Sequence, residues 1–241
     1  MDIHKPKPWH GVREFLKEYV IIVVGVLTAL AAEQTAENLN KGREAREANE
    51  RVRAEMGRNL AYAAEQLAVS DCLDARLDAI RKVLVETRGK PLPRLPHLVS
   101  SIVEPFSVEE WTSAVQSGLH QRFSALERDA FPLMATAIHQ GRETEIVEYE
   151  RWRVLTTLED DPRILDPVTR EQLLQTVALA RDNNHRRAGM AKFVLAYGRR
   201  LNIPLATRDP DGTPIVETEK VRARLCAPWP VAAPQDGQKP G

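Results

Sequence analysis

Asp182 and His185 stand one helical turn apart in "RDNNHRR", a carboxylate and an imidazole placed for one helix face. In a helical bundle that pairing is half of a carboxylate-bridged di-iron site, which needs two Glu-x-x-His elements and further inward carboxylates. The chain holds a single imperfect copy, and a solvent-facing or capped polar pair accounts for it. Glu143, Glu145, Glu148 and Glu150 form an acidic run. As metal ligands or acid and base they lack a counterpart, so a solvated helix face is expected. In "SGLHQRF", Ser117, Gly118 and His120 lie close together, but a helix C-terminus explains the glycine without a nucleophile. Cys72 and Cys226 are far apart and lack CxxC or Cys/His spacing, so neither a disulfide framework nor a zinc site is indicated. An oxidising compartment would let them pair; two free buried thiols are the expectation. The six histidines form no HExxH pair, and GxSxG, P-loop and Rossmann glycine patterns are missing. No catalytic, cofactor-binding or metal-binding residue is therefore assigned, and no cofactor is expected.

The elements that would position these residues are helices. Ala, Leu, Glu and Arg dominate a chain of 241 residues that is 43% hydrophobic, 28% charged and only 5% aromatic. Its 34 basic and 34 acidic side chains cancel, which argues against a nucleic-acid partner. Val52, Met56, Leu60, Ala63, Leu67, Leu73, Leu77, Ile80 and Leu84 recur close to every third or fourth position, one apolar stripe on a long helix. Ser70 and Asp71 fall where the stripe wavers and predict a break or kink. "RGKPLPRLP" ends that helix in an extended connection. Ser107 with Glu110, and Ser124 with Glu127, have capping-box spacing ahead of two helices. Gly118 is a stop, and Pro132 predicts a kink or a later start. A separate helix is expected after Gly141, and Asp166 with Pro167 opens a late helix to about Asn202. "RDPDGTP" reads as a turn, "TEKVRARL" as a short helix and the end of the chain as a tail. No strand set or fixed-period repeat emerges.

The remaining stretch, "EYVIIVVGVLTALAAEQ", has no charge from Tyr19 to Ala32. As a helix that run rises about 21 Å, short of a hydrocarbon core of about 30 Å. Counting from Phe15 to Ala36 gives about 33 Å, with Lys17 snorkelling and Glu33 at the far headgroups. Trp9 and Tyr19 then serve as interface anchors, and Phe15, Val23, Val24, Leu27 and Leu30 face lipid. Two alternatives compete. A basic start, an apolar core and Ala29-Leu30-Ala31 fit a secretory signal cleaved near Ala31, although good helix formers continue past the site. A buried helix of a soluble bundle is also long enough, but this run is apolar all round. Lys5, Lys7, Arg13 and Lys17 before the span balance Lys41, Arg43, Arg46 and Arg51 after it, so basic charge barely orients it. The short N-terminal tail favours a cytoplasmic N-terminus and a periplasmic body. Gly25 and Ala29 form a small-xxx-small pair that would let two spans pack as a homodimer.

The segment resembles the N-terminal anchor of uncharacterised bacterial single-span proteins, which carry a Glu-led helix of the VVxGxLxAL type. The positions of resemblance are Glu18, Val23, Val24, Gly25, Leu27, Ala29 and Leu30, with Trp111, Ser117 and Gly118 in "WTSAVQSGL" as a second patch. The resemblance implies membrane anchorage and a helical body, and it implies no activity.

The expected fold is all-α, an N-terminal transmembrane helix continuing into a stalk and a bundle. Residues 1–18 are a basic interfacial segment, 19–36 the span and 37–90 a long stalk and bundle helix. Residues 91–106 are the Pro-rich connection, 107–202 the bundle body and 203–241 a turn, a short helix and a tail. The expected function is a non-catalytic sensor, adaptor or assembly factor in the bacterial inner membrane, with the bilayer and an unidentified protein or small molecule as partners. A secreted soluble domain and a helical-bundle enzyme are the rivals.

Overall fold

The computed structural model describes residues 11–93, 95, 97–98, 104–159, 163–209, 211–227 and 229. Trp9 lies outside them. The fold is all-α: helices α1 (Val12–Glu86), α2 (Glu109–Gln116), α3 (Ala125–Thr156), α4 (Pro167–Arg200) and α5 (Thr218–Leu225), with no strand among the described residues. The chain divides into two compact units, residues 1–47 and 48–241, and α1 contributes to both.

In the first unit the described structure is Gly11 and α1 to Glu47. α1 contains a window long and apolar enough to cross a membrane, and none of that window is buried. Phe15 and Tyr19 stack one turn apart, ring centroids 6.4 Å from each other. Thr28 and Thr35 donate their hydroxyls to Val24 O and Ala31 O, so neither presents an unpaired polar group along the apolar wall.

The second unit is built on α1, α3 and α4, which bury two apolar cores. One core takes Val69, Leu73, Leu77, Ile80 and Leu84 from α1, Trp152 and Leu155 from α3, and Leu173, Val177 and Ala180 from α4. The other takes Val52, Met56 and Leu60 from α1, Phe131, Met134 and Ile138 from α3, and Val194 from α4. The order of these residues along each helix makes α1 and α3 run one way and α4 the other. Leu92, Leu95 and Leu98 belong to the first core and Trp111 to the second, so the described ends of the connection between α1 and α2 pack against different cores.

Helix ends are closed by side chains from neighbouring helices. Glu55 of α1 accepts from Ser107 Oγ (2.9 Å), Glu110 N (3.1 Å) and Trp111 N (3.2 Å), so it caps α2. The capping box expected from Ser107 and Glu110 does not form; Glu110 instead pairs with Arg51 at 3.1 Å. The second box is present, with Ser124 and Glu127 bonded reciprocally, and Asn49 and Arg53 also hold Glu127 at 2.9 Å. Arg53 bonds the carbonyls of Leu201 and Asn202 past α4, and Arg170 of α4 closes the end of α1 at Leu84 O, Thr87 Oγ1 and Thr87 O. Asp166 Oδ1 caps α4, accepting from Val168 N and Thr169 N at 3.0 Å.

Three local expectations change. α1 continues helical through Ser70 and Asp71, where Ser70 is buried and its carbonyl accepts from Asn184 Nδ2 at 2.8 Å. Pro132 lies within α3 and does not start it. Gly141 does not separate two helices: α3 runs through it, and a Cβ there would make only an ordinary contact with Met190 Sδ at 3.8 Å.

Candidate functional site

Between the two apolar cores α1, α3 and α4 carry polar residues where their stripes call for apolar ones. α1 supplies Glu65 and Gln66, α3 supplies Glu145 and Glu148, and α4 supplies Asn183, Asn184 and Arg187, all buried. Glu104 enters from the connection and is buried as well. Arg187 thus faces the charges of Glu145, Glu148 and Glu104, with Glu65 hydrogen-bonded to Glu104, in a layer across the bundle.

The layer is held by a few short bonds. Glu145 Oε1 accepts from Glu104 N at 2.7 Å and from Arg187 Nη2 at 3.0 Å, an ion pair whose side chains are 4% and 7% exposed. Glu148 Oε1 accepts from Trp152 Nε1 at 2.6 Å, which ties the layer to the adjoining core. Asn184 Nδ2 bridges Ser70 O and Asp74 Oδ1. Glu65 Oε1 and both amide atoms of Gln66 have no hydrogen-bond partner among the described residues. Gln66 and Arg187 line a cavity of about 20 Å³ with Phe106, Ile138, Met190 and Val194. That volume holds about one water molecule.

Removal from water sets the protonation states. Burial, the hydrogen bond with Glu65, and the charges of Glu65 and Glu145 push the Glu104 carboxyl up to about 9. At neutral pH Glu104 is therefore protonated and able to donate, which relieves repulsion against its neighbours. Burial also raises Glu145, offset by the Glu104 amide and by Arg187, and it raises Glu148, offset by Trp152 and Arg187. The layer thus holds a proton on Glu104 beside the Glu145–Arg187 ion pair. Its cavity is far below the size of a substrate pocket, which is usually some hundreds of Å³.

The acidic run is thus split, contrary to the expected solvated face. Glu143 and Glu150 are exposed, while Glu145 and Glu148 are inside. The missed signal was their register: 138, 145, 148, 152 and 155 fall at helical spacing on one face of α3. Asp182 and His185 do not converge on one site; Asp182 pairs with Arg186 at 2.9 Å and His185 Nε2 with Asp74 Oδ2 at 2.8 Å, on the surface. No group of three or more His, Cys, Asp or Glu among the described residues is placed to hold a metal ion. Ser117 Oγ donates to Ser113 O at the end of α2, and His120 packs edge-on against Trp111.

The described residues expected to anchor the chain lie on the exposed surface of α1. Phe15 is 60% exposed and Tyr19 57%; Val24, Leu27 and Leu30 are exposed and Val23 half-buried. A Cβ on Gly25 would meet nothing within 4 Å. Cys72 and Cys226 overturn the expectation of two free thiols: they form a disulfide, Cα atoms 4.8 Å apart across 154 residues of sequence. Nothing in their spacing announced this, since α5 must first fold back on α1 to bring them together.

Comparison of the chain with family models, with curated proteins and with solved structures returns no match.

Proposed function

We propose that the protein is a single-span membrane protein whose helical domain lies outside the cytoplasm and binds a protein or small ligand without chemistry of its own. The observation that carries this reading is the exposed, uncharged run from Tyr19 to Ala32. A soluble bundle would bury such a helix, whereas here its aliphatic side chains are left for a lipid environment to cover. The resemblance of the segment to single-span anchors supports the same reading. α1 also continues helical through Ala29-Leu30-Ala31, which favours a retained span over a cleaved signal.

The disulfide supports the placement of the domain. Such bonds persist in oxidising compartments, the bacterial periplasm among them, and are rare in the cytosol. With the basic residues balanced, it is the stronger argument for a cytoplasmic N-terminus in the inner membrane. The reading of a domain without chemistry of its own is supported by the polar layer, whose cavity of about 20 Å³ is too small for a substrate.

Carbonate extraction of bacterial membranes containing the full-length chain tests the anchor. The intact chain is expected in the pellet. The double substitution Val24→Lys and Leu27→Lys places two charges at mid-span, at about 2.5–3.5 kcal/mol each, and should release it. Wild-type chain at full length in the supernatant would overturn the proposal.

A further inference from the structure

We infer that the Cys72–Cys226 disulfide is a site of thiol–disulfide exchange, a reducible lock that holds α5 against α1 and lets it go while the bundle stays folded. Both cysteines are half-buried. They line, with Arg76 and Trp229, an open cleft of about 270 Å³ that admits a small dithiol. Arg76 stands one turn beyond Cys72 on α1, and its Nη2 donates to Leu225 O at 3.2 Å and Ala227 O at 2.9 Å, the carbonyls on either side of Cys226. A guanidinium at the disulfide favours a departing thiolate.

The exchange balances with a dithiol as reductant. A thiolate of the reductant attacks Cys226 Sγ, the Cys72–Cys226 bond breaks, and Cys72 leaves as a thiolate. The second thiol of the reductant then attacks the mixed disulfide, and Cys226 departs. The reductant ends as a disulfide, and its two protons pass to the cysteines.

Besides the disulfide, the two Arg76 bonds and one patch of apolar packing fasten α5 among the described residues. Leu225 is the one buried residue of Thr218–Leu225, with Val221 and Trp229 packed in part against the same core. That core is otherwise built by α1, α3, α4 and their connections. The inference goes beyond the anchored-receptor reading and does not depend on it, since it is read on solubilised chain.

The test uses the full-length protein in detergent, with and without dithiothreitol. Free thiols are counted by alkylation, and trypsin cleavage is followed at the exposed Arg222 and Arg224 of α5. All samples are fully reduced before mass analysis, so that a tethered fragment is counted. Reduction is expected to free two thiols per chain and to speed cleavage in α5 at least tenfold, with cuts inside α3 and α4 unchanged. Cys72→Ser should behave like the reduced chain without any reductant. The inference is overturned if native protein releases no thiols, if thiols are released and α5 stays protected, or if α3 and α4 become susceptible together with α5.

Discussion

Gln66 is buried, and neither of its amide atoms has a hydrogen-bond partner among the described residues. Gln66→Leu should leave stability within about 1 kcal/mol or raise it, because a desolvated amide is removed from an apolar-walled cavity. Arg187 is the opposite case. Arg187→Met leaves Glu145 and Glu148 buried without their cation and should cost about 3–5 kcal/mol in urea unfolding. Equal effects from the two substitutions would contradict the described layer. Glu104 adds a pH dependence whose sign follows from its raised pKa. The folded state keeps a proton that the unfolded chain loses near 4.5, so the stabilisation is complete below that pH and is lost as pH rises through about 9. Unfolding midpoints should fall from pH 5 to pH 9, and Glu104→Gln, which still donates, should flatten that fall. At this scale the sequence was half legible. Glu145 and Glu148 sat in the apolar register of α3, yet an acidic run reads as surface unless its phase against Ile138, Trp152 and Leu155 is checked. Arg187 and Glu104 had no signature, because their partners come from other helices.

Among the elements, caps that a helix makes for itself were readable and caps lent by another helix were not. Ser124 and Asp166 bond within their own first turns and are found where their spacing places them. Ser107 has the same spacing but turns to Glu55, more than fifty residues away in sequence, because that carboxylate meets three donors at once. Glu55→Ala should therefore destabilise the domain by about 1–3 kcal/mol, and hydrogen exchange should rise first in α2. Local helix chemistry alone would predict no effect in α2. Helix contact is as selective at Gly198, where a Cβ would overlap the Leu60 side chain across α1 and α4. Gly198→Ala should cost about 1–3 kcal/mol although alanine is the better helix former. A stabilised variant would mean that the crossing is looser than described. Gly141, by contrast, was read as a break and lies inside α3, since one glycine in a helix is tolerated when the neighbour across it is a flexible methionine.

At the scale of the whole molecule, the helical class and the apolar segment were legible because both depend on composition and period within one stretch of chain. The two cores, the polar layer between them and the disulfide were not, because each depends on which helices meet. The functional account joins two features that arise separately. An exposed apolar run in α1 asks for a bilayer, and a disulfide in the helical domain asks for an oxidising compartment. Together they support the proposal that the domain lies on the far side of the inner membrane. Protease digestion of spheroplasts carrying the full-length chain with a C-terminal tag tests that placement most directly. The account predicts that external protease removes the tag while a cytoplasmic control stays intact, and that the chain before digestion has its full mass. A tag that survives until the spheroplasts are lysed would put the domain in the cytoplasm and contradict the account.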